Sequence, residues 1–298
     1  QMCRKAVRMQ TRNPVLARIG QEPASSSGSG FAYREGVSAY QQAQPGAVAT
    51  DVASQGRGAP QQPARPAAVG DRLTLNDVVV KSAISFVVLL VGATVGWQLT
   101  PSAPWLVWGA MLVGLGLAFA NIFKKVVSPP LVLAYALVQG VFLGGISWWY
   151  NEWVATVNPE YTGLVGQAIV ATLVVFGVML AVYQSRIVKV NGRFMKIMMV
   201  AMVSYLFIAV ASLVSSFFGV GGGFGFYGVG GFGIALMAFA VLLAAFSLML
   251  DFEAIKQGIA MGLPERESWR MAFGLLVTLV WLYLEILRLL AILAAGRE

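Results

Sequence analysis

Seven runs of apolar residues, each about 20 long, occupy most of the chain between Val78 and Ala294. A bilayer's hydrocarbon core is about 30 Å thick and takes about 20 helical residues to cross. Within it every backbone N–H and C=O must find a partner inside the protein, which only helices and closed barrels achieve. The runs lack period-two alternation and predict helices over 78–98, 104–123, 130–149, 161–183, 197–218, 233–250 and 271–294. The sixth run keeps Phe252, Ile255 and Ile259 beyond its first acids, so its helix is expected to continue to about 259. The expected fold is an all-α polytopic membrane protein, with seven transmembrane helices in one bundle over 77–298.

Charge distribution sets the expected orientation. The links after spans 2, 4 and 6 carry Lys124, Lys125, Arg186, Lys189, Arg193, Lys196, Lys256, Arg266 and Arg270, whereas those after spans 1, 3 and 5 carry no Lys or Arg. The positive-inside rule then places the N-terminus in the cytosol and, by the odd count of spans, the C-terminus outside. Trp97, Trp105, Trp108, Trp148, Trp149 and Trp153 cluster at the first two outer links, at headgroup depth. The net charge of +8 is thus spread over loops rather than gathered on a face that would take nucleic acid.

Residues 1–76 are rich in Ala, Gly, Ser, Gln and Pro and show no lasting hydrophobic period. Such a segment buries too little surface to offset its ordering entropy and reads as a disordered cytosolic tail. Its first eight residues, QMCRKAVR, read as translated upstream sequence, with Met9 opening a more natural start. Between spans, the glycine-rich link from Gly219 to Gly233 lacks the Lys and Ser/Thr of a phosphate loop and reads as a flexible hinge. Gly140 and Gly144 form a GxxxG pair that, with Gly114 and Gly116, is expected to serve helix packing inside the bundle.

Chemistry is narrowed by elimination. The chain has no histidine, and its one cysteine, Cys3, lies in the tail, so His/Cys metal sites and Ser/His/Asp or Cys/His catalysis are excluded. No enzyme activity and no resident cofactor are expected. Of the 13 acidic residues, only Asp251, Glu253 and Glu285 fall at membrane depth. An ionised group there costs about 2.5 to 3.5 kcal/mol on insertion scales and defaults to a functional position facing the bundle. Asp251 and Glu253 are about 200° apart around a helix, so only one of them faces inward. Arg288 stands three residues after Glu285 and offers the alternative that this pair simply neutralises itself. Depth sets a condition on any meeting of the acids. Asp251 falls about 27 Å below Gly233 and Glu285 about 21 Å above Met271, so contact requires span 6 to start late or span 7 to start deep.

The segments FSLMLDFEAIKQG and WLYLEILRLLAIL resemble the acidic final helices of the Bax inhibitor-1/YccA-like (TMBIM) family. RNPVLARIG, DRLTLNDVVVK and FKKVVSPPLVLAYA are similar to its actinobacterial branch in particular. The resemblance implies a pH-sensitive calcium leak channel in which paired acids on the last two helices sense protons, a role that falls here on Asp251 and Glu285. The last span has Glu where relatives usually have Asp, and Gln139 stands where many have Glu. Two carboxylates close together in low dielectric share a proton and titrate as a pair. They would bridge helices 6 and 7 when holding it and attract a passing calcium ion when it leaves. Arg288, Glu253 and Gln139 are candidate modulators, and Ser204, Tyr205 and Ser247 candidate lining of the route. Calcium and protons are then cargo, and lipid the surroundings. The alternative is a regulator of membrane proteolysis or stress survival that acts through protein contacts, with a membrane protease as the expected partner and no ion flux.

Overall fold

Each predicted span is a helix in the structure, a computed structural model that describes residues 72–296 apart from 224 and 229. The helices are α1 (Leu75–Leu99), α2 (Trp105–Phe123), α3 (Pro129–Val157), α4 (Leu164–Gln184), α5 (Gly192–Ser216), α6 (Gly231–Ala260) and α7 (Ser268–Ala295). All seven are long and apolar enough to cross a membrane. The predicted tail, up to residue 71, lies outside the described residues, as does Glu298.

Local sequence explains where the helices begin. Thr74 caps α1, and Asp77 completes a capping box by accepting from the Thr74 backbone N–H at 3.1 Å. Asn191 caps α5 through the Phe194 N–H, and the pair Pro129 and Pro130 starts α3, where a missing N–H costs nothing. Several helices outrun their apolar runs: α3 reaches Val157 and α6 reaches Ala260. Hydropathy marks the part of a helix that sits in hydrocarbon, whereas the backbone ladder continues past it wherever no breaker intervenes.

The bundle is organised around α7, which packs against α1, α3, α4 and α6, while α2 lies on α3 and α5 on α6. One side chain fixes which ends share a side. Lys81, near the start of α1, reaches Glu265 at 2.8 Å and Ser268 at 2.7 Å, so α1 and α7 begin together. The Leu73 N–H donates to the Leu263 carbonyl at 2.8 Å on that same side.

Without a hydrophobic drive between helices in lipid, close backbone approach must supply the packing energy. The α1–α3 seam does this with reciprocal glycines. A Cβ on Gly92 or Gly96 would strike the carbonyls of Leu137 or Val141 on α3, and one on Gly140 or Gly144 those of Leu89 or Ala93 on α1. Gly114 faces the Gln139 side chain, but Gly116 is exposed with open space beside it and plays no part in packing.

The glycine-rich link departs from the expected hinge. It folds into two short 3-10 turns, Val220–Gly223 and Gly225–Tyr227, laid over α5. Gly225 (φ +62°) presses against the Ser212 backbone where no Cβ fits, and the Phe226 N–H donates to Ser212 Oγ at 2.9 Å. Tyr227 is thereby buried inside the bundle, 4% exposed. The composition of the link signalled conformational freedom but not the aromatic anchor that uses it.

Candidate functional site

Two of the three acids at membrane depth are turned inward, at separate levels. Asp251 lies on the unbroken helix α6 and faces α7 at Gly274, where an added Cβ would come 3.8 Å from its Oδ1. The small residue makes room for the carboxyl. Thr278, one turn along α7, has its hydroxyl shared between the Asp251 carboxyl and the Gly274 carbonyl, the latter at 3.2 Å. Asp251 Oδ2 is buried and accepts no hydrogen bond within the chain. Buried polar atoms are nearly always paired, so an orphaned carboxylate oxygen marks either a functional group or a place for an exchangeable ligand.

Glu285 is the opposite case. Its side chain is buried, and its Oε1 accepts from Tyr205 Oη of α5 at 2.5 Å and from Trp281 Nε1 at 3.0 Å. Its Oε2 pairs with Arg288, one helical turn on. Arg288 also donates to Tyr205 Oη at 3.3 Å, and its guanidinium lies 3.9 Å from the centre of the Tyr227 ring. Charge, hydrogen bonds and a cation–π contact offset the desolvation of the pair, although Arg288 Nε is buried without a hydrogen-bond partner.

The predicted pairing of Asp251 with Glu285 is not present. Thr278, beside Asp251, is seven residues before Glu285 on α7, about 10 Å of axial rise. Helix α6 begins at Gly231 rather than later, and α7 at Ser268, so neither shift that would bring the acids level occurs. Arg288, predicted as a modulator, instead holds Glu285 directly.

The remaining predicted residues divide. Glu253 points away from α7, as the helical angle requires, and accepts from Tyr183 Oη at 2.7 Å and Gln257 Nε2 at 3.0 Å. It borders a cleft of about 360 Å³ between α5 and α6 that is lined by Met195, Met199 and Met202 among other residues. Gln139 sits between α3 and α2, at Gly114, remote from the α6–α7 contact. Ser204 is exposed on α5 and lines no interior path, while its neighbour Tyr205 is buried on the hydroxyl–carboxylate bond described above. Ser247 is buried, and its hydroxyl is taken up by the Leu243 carbonyl at 2.9 Å and the Met202 sulfur of α5 at 3.7 Å rather than facing a path. Sequence reasoning missed Gly274 and Thr278, Trp281 and Tyr227. The first three were legible as members of the row at spacings of four, three and four on α7 that leads to Glu285. Tyr227 was not, since only the folded link brings it to Arg288.

Among the described residues no three acidic, His or Cys side chains gather into a metal-holding cluster. A resident calcium site takes six to eight oxygen ligands, and Asp251 with the neighbouring Thr278 hydroxyl falls short of that. One carboxylate suits an ion in passage better than an ion in residence.

A search of curated proteins found no match to this sequence. The profile described as Bax inhibitor 1 like matches residues 13–295.

Proposed function

From the premise that this chain belongs to the Bax inhibitor 1 like family, we propose that it is a proton-sensitive cation leak, with calcium as cargo and Asp251 as the group that exchanges proton and cation. The observation that carries this reading is the Asp251 carboxyl, held at membrane depth between α6 and α7 with one oxygen buried and unpartnered. A group placed there at a cost in insertion energy, and given no neutralising partner, is suited to binding something that comes and goes. With its proton the residue is neutral and repels no carboxylate but attracts no cation. Without it, a lone negative charge in low dielectric draws a cation into the bundle. Cation flux therefore rises with pH.

Glu285 has the supporting role in this mechanism. Its charge is committed to Arg288, Tyr205 and Trp281, which ties α5 to α7 on the far side of the bundle from Lys81. It fixes α7, one of the two helices that Asp251 acts between, against α5. The protein works in a bacterial cytoplasmic membrane with its Lys/Arg-rich links in the cytosol, and performs no covalent chemistry.

Calcium entry into dye-loaded proteoliposomes between about pH 5 and 8, where coupled or buried acids titrate, tests the proposal with wild type and Asp251→Asn. The expected result is pH-dependent entry in wild type and pH-independent entry in the variant. Absence of flux above empty liposomes, with the protein folded, would sink the leak and favour the reading as a regulator of membrane proteolysis through protein contacts.

A further inference from the structure

A cleft of about 570 Å³ opens on the side of the bundle between α1 and α4, with α3 and α7 as its back wall. It shares no residue with the Asp251 or Glu285 sites. We infer that it is a binding site for one acyl chain of a membrane phospholipid, and three observations fix that occupant.

The first is dimension. Along α1 the cleft runs from Phe86 to Trp97, eleven residues or about 16 Å of axial rise. Half of a hydrocarbon core is about 15 Å, so the cleft is one leaflet deep. Its mouth is at the level of Trp97 and Val165, close to the end of α1 and the start of α4, where a Trp ring lies at headgroup depth. A chain entering there reaches its floor near the bilayer midplane.

The second is continuity. Leu90 on α1 and Ile169 and Leu173 on α4 line the cleft and are also exposed on the outer surface of the helices. The cleft is an inward extension of a surface that already faces lipid.

The third is the state of its polar groups. Thr94 donates to the Leu90 carbonyl at 3.0 Å and Thr172 to the Ala168 carbonyl at 2.7 Å. On the back wall Ser147 Oγ and Tyr283 Oη are bonded to each other at 2.7 Å, and Ser147 also bonds the Leu143 carbonyl at 2.6 Å. Each hydroxyl is satisfied within the protein, so below the Trp97 indole at the mouth the lining asks nothing of a polar solute. A hydrocarbon chain loses nothing by filling it, whereas water would find few partners.

The test is photolabelling of the full chain in liposomes with a phosphatidylcholine that carries a diazirine in mid-chain, with adducts mapped by peptide mass spectrometry. Adducts at Leu90, Ala93, Ile169 and Leu173 should exceed several-fold those at Leu112 and Leu206, which are more exposed but lie outside the cleft. Ala93→Phe, which fills the cleft from α1, and Ile169→Trp, which fills it from α4, should lower cleft labelling to the level of the other sites. Ile169 is an exposed side chain, so that variant keeps the test valid should Ala93→Phe fail to fold. A phosphatidylglycerol probe should label equally. Labelling spread evenly over all exposed helices, labelling unchanged in the folded variants, or labelling that follows the headgroup would each overturn the assignment.

Discussion

Asp251 and Glu285 are acids on neighbouring helices of one bundle, yet their surroundings are opposites. Around Glu285 the chain supplies a guanidinium, a phenol and an indole, with a second phenol ring laid over the guanidinium. Around Asp251 it supplies a glycine to make space and one threonine hydroxyl shared with the Gly274 carbonyl, and it leaves Oδ2 unpartnered. The contrast separates two uses of a charge in a membrane. A neutralised, fully bonded ion is part of the framework, because its removal leaves its partners exposed to low dielectric. A carboxyl with one unpartnered oxygen and no countercharge contributes little to the framework.

This comparison predicts graded effects on stability, each read as thermal unfolding of the detergent-solubilised protein. The largest belongs to Arg288→Met, which leaves Glu285 buried and unpaired and should cost about 3–5 kcal/mol. Adding Glu285→Gln to that variant should restore part of the loss, since no lone charge then remains; failure to recover would mean that Arg288 acts by packing rather than by pairing. Next is Tyr205→Phe, which removes a hydrogen bond to a carboxylate and should cost about 1.5–3 kcal/mol. Tyr227→Leu keeps an apolar body over Arg288 and loses the cation–π contact, for about 1–2 kcal/mol. Asp251→Asn should be the smallest, within about 1 kcal/mol of wild type, because the amide oxygen still accepts from Thr278 and no charged partner is left behind. A melt as damaged as that of Arg288→Met would place Asp251 in the framework and erase the distinction.

The same distinction explains what could be read before the fold was known. That Asp251 and Glu253 diverge followed from the helical angle alone, and the reciprocal glycines of α3 were legible as a GxxxG pair. Arg288 at i+3 from Glu285 was visible as one of two alternatives, and the structure selects it. What misled was the resemblance-based pairing of Asp251 with Glu285, which needed a depth match that the helix starts do not provide. Ser204 and Tyr205 show the limit at its finest scale. Adjacent on α5, both polar, they point to opposite environments, one exposed and one bonded to Glu285, because each residue turns about 100° and the bundle covers only one face.

The sequence by itself determined the number of spans, the helix class and the short roll of acids that lie at membrane depth. Transfer into hydrocarbon is a property of each segment separately, so it can be summed along the chain without knowing any neighbour. Tertiary structure alone decided which acid is paired, that Tyr227 reaches Arg288 from a glycine-rich link, and that α1 and α4 leave a cleft one leaflet deep. Those depend on the axial offsets and facing angles of helices far apart in sequence, which backbone approach at small residues sets and no local pattern encodes.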